Sequence, residues 1–134
     1  MPDQMSAMLS RYNEIVVALR AENDAETVKF FHPDFVVHED PGMPYGGGLR
    51  GPDAFIALRR KVRKFWNLDF IAKCEEVGGK TFVAVFRASG VAGSPVDGME
   101  TVVTVVWTFE DGLAKDARVL YYDTPRLAAA LAGN

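Results

Sequence analysis

At 134 residues with a formal charge of −3, the chain is sized for one domain, residues 1–134, that can bury a core without disulfides or a structural metal. Fifteen Lys and Arg against eighteen Asp and Glu argue against phosphate backbones and anionic membranes, so neither nucleic acid nor membrane is an expected partner. The single cysteine, Cys74, excludes an intramolecular disulfide and a two-cysteine zinc site, and no apolar run approaches the ~18 residues a bilayer requires, so a soluble, cytoplasmic protein is expected.

Met5, Met8, Leu9, Tyr12, Ile15, Val16 and Leu19 recur at steps of three and four and predict an amphipathic helix. Asn23 and Asp24 can cap a shorter helix through Thr27 and Phe31, ended by His32-Pro33 because the residue before proline is pushed out of the helical region. Residues 35–40 are rich in strand formers and predict a short strand stopped by Pro41-Gly42, followed by a long loop through Met43, Pro44, Tyr45 and three glycines. Gly51-Pro52-Asp53 opens a third helix with Phe55, Ile56, Leu58 and Val62 on its apolar side. Beyond Phe65 the period becomes two. Leu68, Phe70, Ala72 and Cys74 alternate with polar neighbours as far as a Gly78-Gly79 turn, and residues 81–89 form the partner strand. A third long strand over 99–109 is joined through Asp111-Gly112 to a fourth over 115–123, and 126–132 reads as a short alanine-rich helix. Helices segregated to one side of such a meander give an α+β fold: a cone of helices packed on a curved, mostly antiparallel sheet whose concave face leaves a conical cavity.

The chain resembles the nuclear transport factor 2-like superfamily, with its cystatin-like roll, and within it the SnoaL-like and ketosteroid-isomerase-like domains. The resemblance runs over nearly the whole sequence. It is carried by Val37-His38-Glu39-Asp40-Pro41-Gly42 after two helices, by Pro44-Tyr45-Gly46-Gly47 with the segment Leu49-Arg50-Gly51-Pro52-Asp53-Ala54-Phe55, by Thr101-Val102-Val103, and by Tyr121-Tyr122-Asp123. The superfamily spans isomerases, cyclases, dehydratases, epoxide hydrolases and non-catalytic members, because function belongs to the site rather than the fold. The resemblance implies that Asp40 stands where ketosteroid isomerase has its aspartate base. The family's oxyanion tyrosine position falls on Val16, with Tyr12 one turn earlier on the same face, and its oxyanion aspartate position falls on Trp107, so the usual electrophile is absent. It also implies that Val119, Tyr121 and Asp123 face the cavity from the last strand.

Strand alternation then lists the cavity's walls. Asp40 pointing inward brings His38 and Val36 with it, and Trp107 brings Val105, Val103 and Thr101. The expected polar set is His38, Asp40, Asp123, Tyr121 and Tyr45. Two carboxylates and a histidine in an apolar cone permit general acid–base chemistry, since burial and a second carboxylate both raise a carboxyl pKa. Each residue also has a plainer use. Asp40 can cap the Pro-Gly turn, Asp123 the final helix, and Trp107 and Tyr45 can simply pack. A metal needs a third protein ligand beside His38 and Asp40, and His32 sits on another element, so neither metal nor other cofactor is expected. The basic run Arg59, Arg60, Lys61, Arg63 and Lys64 reads first as a solvated helix face, with an acidic partner or a phosphate site as the lesser option, and Cys74 as a small buried hydrophobe or an interface residue. The sheet's outer face, with Phe82 or Val83, Phe86 and Val106, predicts a homodimer. The expected function is binding of a small hydrophobic molecule with Asp40-centred acid–base chemistry of isomerase, cyclase, dehydratase or hydrolase type. The alternatives are a binding domain without turnover and a dimerisation module with a filled cavity.

Overall fold

A computed structural model describes residues 7–75 and 80–132. Met5 and the Gly78-Gly79 turn therefore lie outside the described residues. Helix α1 (Ala7–Arg20) buries Met8, Tyr12, Ile15, Ala18 and Leu19 along one stripe, as the three-and-four spacing predicts. Helix α2 (Asp24–Val28) is capped by Asn23, whose side-chain oxygen accepts the Glu26 N–H at 3.2 Å.

The second helix stops earlier than expected, and Phe31 belongs instead to strand β1 (Phe31–Glu39). A spacing of four fits both a helix face and a strand face, so Phe31 and Phe35 read equally as either; here they share the inner face of β1, ring centres 4.8 Å apart. Pro33 sits where the pairing of β1 with its neighbour is irregular, between Phe31 and Val36, so its missing N–H removes no ladder bond. Strand β2 (Gly47–Arg50) pairs antiparallel with the end of β1 in a stretch expected to be loop. Two glycines deprive it of alternating side chains, and its pairing comes only from β1. Helix α3 (Pro52–Val62) starts on its proline and buries Phe55, Ile56, Leu58 and Val62.

Strands β3 (Trp66–Glu75), β4 (Thr81–Gly90), β5 (Glu100–Glu110) and β6 (Leu113–Tyr121) form the predicted antiparallel meander, and helix α4 (Thr124–Ala132) closes the chain. Asp111 and Gly112 both take left-handed φ, 51° and 77°, the two-residue turn that matches strand twist. The sheet runs β2-β1-β6-β5-β4-β3, with β1 parallel to β6 and every other pair antiparallel. Register shifts between Phe70 and Ala72 and between Thr108 and Phe109 bend it.

The first of those shifts changes what β3 presents. Ile71 is the extra residue, so Leu68 and Phe70 face the helices while Ala72 and Cys74 pair with Val85 and Val83 on the outer side. Cys74 is consequently exposed rather than buried. Phe82 and Phe86 also depart from the expected outer face. Phe82 stacks on Tyr12 at 4.5 Å and Phe86 packs on Phe70 at 4.5 Å, both inside. The outer face keeps Val83, Val85 and Val106, with exposed Ile71, Val102 and Leu120 around them. Inside, Phe31, Phe35, Phe55, Trp107 and Phe109 fill the bottom of the cone with mutually packed rings. No helix among the described residues is long and apolar enough to cross a membrane.

Candidate functional site

Above that aromatic floor lies a cavity of about 440 Å³, within the ~300–1,000 Å³ usual for small-molecule sites. Its walls are mostly apolar, with Val16 and Leu19 from α1, Leu58 and Val62 from α3, and Phe70, Phe86, Val103, Val105 and Val119 from the sheet. Tyr12, Trp66, Trp107 and Tyr121 add aromatic surface, and Glu39 adds a carboxyl. The exposed lining residues Arg20, Arg63, Asn67 and Asp69 mark the solvent end, with half-buried Arg59 beside them.

Glu39, not Asp40, is the acid that β1 delivers to this space. Phe35, Val37 and Glu39 form the buried phase of the strand, and Val36 and His38 the opposite one. Taking Asp40 inward places the strand one residue out of phase, and a one-residue slip moves every side chain to the other face. The full burial of Phe35 and Val37 decides the phase, and their pairing with Glu39 at steps of two is the signal in the sequence that finds it. His38 is therefore exposed on the outer side, opposite Arg118 of β6 and Gly48 of β2. Asp40 occupies the turn: its Oδ1 accepts the Gly42 N–H at 3.0 Å and its Oδ2 accepts the Thr124 hydroxyl at 2.6 Å. Asp123 lies beyond the last residue of β6, so strand alternation no longer applies to it. It takes a left-handed φ of 60° and pairs with Arg126 at 2.8 Å outside the cavity. The expectation that His38, Asp40 and Asp123 share the pocket is thus corrected for all three.

Glu39 is 3% exposed. One oxygen, Oε1, accepts the Asp40 N–H at 3.0 Å. Burial pushes its pKa up to about 7; the Asp40 N–H opposes this, and the negative charge of Asp40 adds to it. Beside it, the hydroxyls of Tyr45 and Tyr121 are hydrogen-bonded at 2.9 Å, and the Trp66 indole N–H donates to Tyr45 at 3.1 Å. Tyr45 is thus the middle of a chain rather than a loose lid. Burial holds its phenol up to about 12, and burial together with the nearby Glu39 charge holds Tyr121 higher still, so both remain protonated donors. Tyr12 is likewise raised by burial, against the pull of Arg20 and Arg59. Trp107 carries a buried indole N–H with no partner among the described residues. An unsatisfied donor of this kind costs ~1–3 kcal/mol.

Of the expected lining residues, Tyr12, Val16, Val103, Val105, Trp107, Val119 and Tyr121 all stand on the cavity wall, and Tyr45 stands behind Tyr121. The cavity also takes Glu39 and Trp66, which the sequence pattern does not single out, and Arg20, Arg59 and Arg63. Arg59 is no solvated side chain, since its Nη1 donates to the Leu19 carbonyl at 3.3 Å, whereas Arg60 does face outward and pairs with Asp24 at 2.6 Å. Among the described residues, no three His, Cys, Asp or Glu side chains converge as a metal site would require.

A curled mixed sheet roofed by helices over an acid-bearing cavity defines an NTF2-like α+β cone, and solved structures of that class superpose on nearly the whole chain. An NTF2-like protein of unknown function from Burkholderia pseudomallei is 24% identical with a TM-score of 0.74, covering 96% of this chain and 99% of its own. One from Burkholderia xenovorans is 20% identical with a TM-score of 0.77, covering 98% and 100%. A steroid delta-isomerase from Pseudomonas aeruginosa is 16% identical with a TM-score of 0.73, covering 96% and 88%. No curated protein matches the sequence. The SnoaL-like domain profile matches residues 9–117, and the chain belongs to that family.

Proposed function

We propose that the chain binds a small, largely apolar molecule in the cone and moves a proton on it with Glu39. The observation that carries this reading is the buried Glu39 carboxyl, walled by apolar side chains and open to the cavity, where burial pushes its pKa up to about 7. A group balanced near neutrality can accept a proton at one step and return it at the next. Tyr121, positioned by Tyr45 and Trp66, donates toward a carbonyl or hydroxyl oxygen. A base beside hydrogen-bond donors fits proton abstraction next to a carbonyl, the first step shared by isomerisation, cyclisation and dehydration. The likeness to a steroid delta-isomerase supports the same class.

The test is hydrogen exchange in deuterated water, followed by NMR across a panel of apolar cyclic and conjugated ketones. Wild type and Asp40→Asn should exchange the α-proton of accepted ketones at rates within a few-fold of each other, while Glu39→Gln falls by ~10²–10⁴. Equal exchange by wild type and Glu39→Gln overturns the assignment. Binding without exchange in the wild type favours a ligand-binding domain instead.

The partner we propose is a second copy, paired through the outer face of the sheet. The register places Val83 opposite Val106, and Val85 and Leu120 on either side of Thr104, with Leu120 left 56% exposed. An apolar patch of this kind, interrupted by Thr104 and edged by Arg87 and Arg118, suits a self-complementary two-fold contact. Wild type should sediment at twice the 14.7 kDa chain mass, and Leu120→Arg should sediment as a folded monomer. A monomeric wild type would rule the pairing out.

A further inference from the structure

We infer that the ligand carries a single anionic head of carboxylate class, seated between Arg59 and Arg63 at the solvent end of the cavity, with its apolar body directed toward Glu39. The inference rests on the cavity being a ligand site. Three guanidinium groups, Arg20, Arg59 and Arg63, line one end of a space whose walls are otherwise mostly apolar. Among the described residues, none of the three has a carboxylate within ion-pair distance, while the neighbouring acids are directed elsewhere: Asp24 pairs with Arg60 at 2.6 Å and Glu22 faces it at 4.0 Å.

Helix architecture explains part of this placement. Arg20 closes α1, and Arg59 and Arg63 lie at the C-terminal end of α3, where positive charge is favoured. It does not explain their gathering on a cavity. Arg59 spends one donor on the Leu19 carbonyl and has four others. Burial, and then the charges of Arg63 and Arg20, hold Arg59 below the usual arginine range, so bringing these groups together without a counter-charge is electrostatically unfavourable. An anion relieves that repulsion.

The charge count calls for an anion, and the guanidinium fork sets its class. With Glu22 and Asp24 facing Arg60, the three lining arginines stand against one lining carboxylate at this end, Asp69, and leave net positive charge to be matched. A planar carboxylate meets the guanidinium fork in a paired geometry, and the separation along i, i+4 on α3 lets Arg59 and Arg63 act together. The two ends of the cavity are electrically distinct as well. Tyr12 feels Arg20 and Arg59, whereas Tyr45 and Tyr121 feel Glu39 and Asp40. An apolar acid entering head-last would keep its charge with the arginines and offer its body to the proton-transfer groups.

Calorimetric titration with ibuprofen and with its primary amide tests this, since the pair differ in charge and hardly in shape. The acid should bind wild type at least about tenfold more tightly than the amide at low salt, with the gap narrowing as salt is added. The double variant Arg59→Gln/Arg63→Gln should bind both about equally, and its amide affinity, unchanged within about twofold, shows that the cavity is still formed. Glu39→Gln should keep the preference for the acid. Amide and acid binding wild type alike, or a preference that survives the double substitution, overturns the anionic head while leaving the ligand site standing. Binding of neither compound to the wild type overturns the ligand-site reading and this inference together.

Discussion

Replacing Glu39 by glutamine is expected to make the protein more stable above neutral pH while slowing proton transfer by ~10²–10⁴-fold. The sign follows from the direction of its pKa shift. The carboxyl titrates at about 7 in the folded chain against 4.5 for an ordinary glutamate, so the folded state holds its proton over a window in which the unfolded state has lost it. Stability is then fully present below about pH 4.5, falls as pH rises toward about 7, and levels off beyond, with a total change on the order of 3 kcal/mol. Glutamine is uncharged throughout, and its side-chain oxygen can still accept the Asp40 N–H, so the variant's curve should be flat in that window. Urea unfolding of both proteins at a series of pH values reads the difference directly. Parallel curves would mean that Glu39 titrates alike in the folded and unfolded chain, and the reading of a poised proton carrier would fail with them. The direction of the activity profile then assigns the role. A base becomes active as pH rises through about 7, and an acid loses activity over the same interval.

Elements whose identity is written in local pattern are legible in the sequence itself. Tyr12, Ile15 and Leu19 on one helical stripe, Pro52 at a helix start and Asp111-Gly112 between two long alternating strands each state their structure within a few residues. What escaped depends on partners far away in sequence. Strand β2 exists because β1 offers it a pairing edge, since Gly47 and Gly48 carry no pattern of their own. The extra residue at Ile71 reverses the faces of Ala72 and Cys74, and a bulge leaves no trace in a run that alternates without fault on either side. The same limit governs the site. Walls contributed by regular strands, Val103, Val105, Trp107, Val119 and Tyr121, follow from alternation once the concave face is chosen. Asp40-Pro41 drew attention through its turn chemistry and its family likeness, yet the phase of β1 is set by where Phe35 and Val37 are buried, and that phase belongs to Glu39. Arg59 and Arg63 look like any basic helix face until α1 is laid alongside them.

Gly46→Ala should be far more damaging than Gly47→Ala, although the two residues are adjacent. A Cβ at Gly46 would overlap the Asp40 carbonyl oxygen and crowd the Asp40 and Pro41 backbone, whereas a Cβ at Gly47 meets nothing within 4 Å. At Gly47 the cost is conformational only, because its φ of 115° suits glycine, and ~1 kcal/mol is expected. At Gly46 the obstacle is main chain and cannot rotate away, so the turn formed by the Met43 N–H on Asp40 and the Gly46 N–H on Met43 has to open, at a cost of about 3 kcal/mol. The consequence reaches the chemistry because Tyr45 precedes this glycine. Moving the turn withdraws the Tyr45 hydroxyl from both Tyr121 and the Trp66 indole, leaving Tyr121 without the neighbour that positions it. Chemical denaturation separates the two glycine variants by stability, and the emission of Trp66 reports the broken hydrogen bond. Tyr45→Phe supplies the control: it removes the same hydroxyl with the turn intact, so it should reproduce the loss of turnover with only ~1 kcal/mol of destabilisation. Were Gly46→Ala as stable as Gly47→Ala, the close seating of the turn on Asp40, and with it the fixed position of Tyr45, would be wrong.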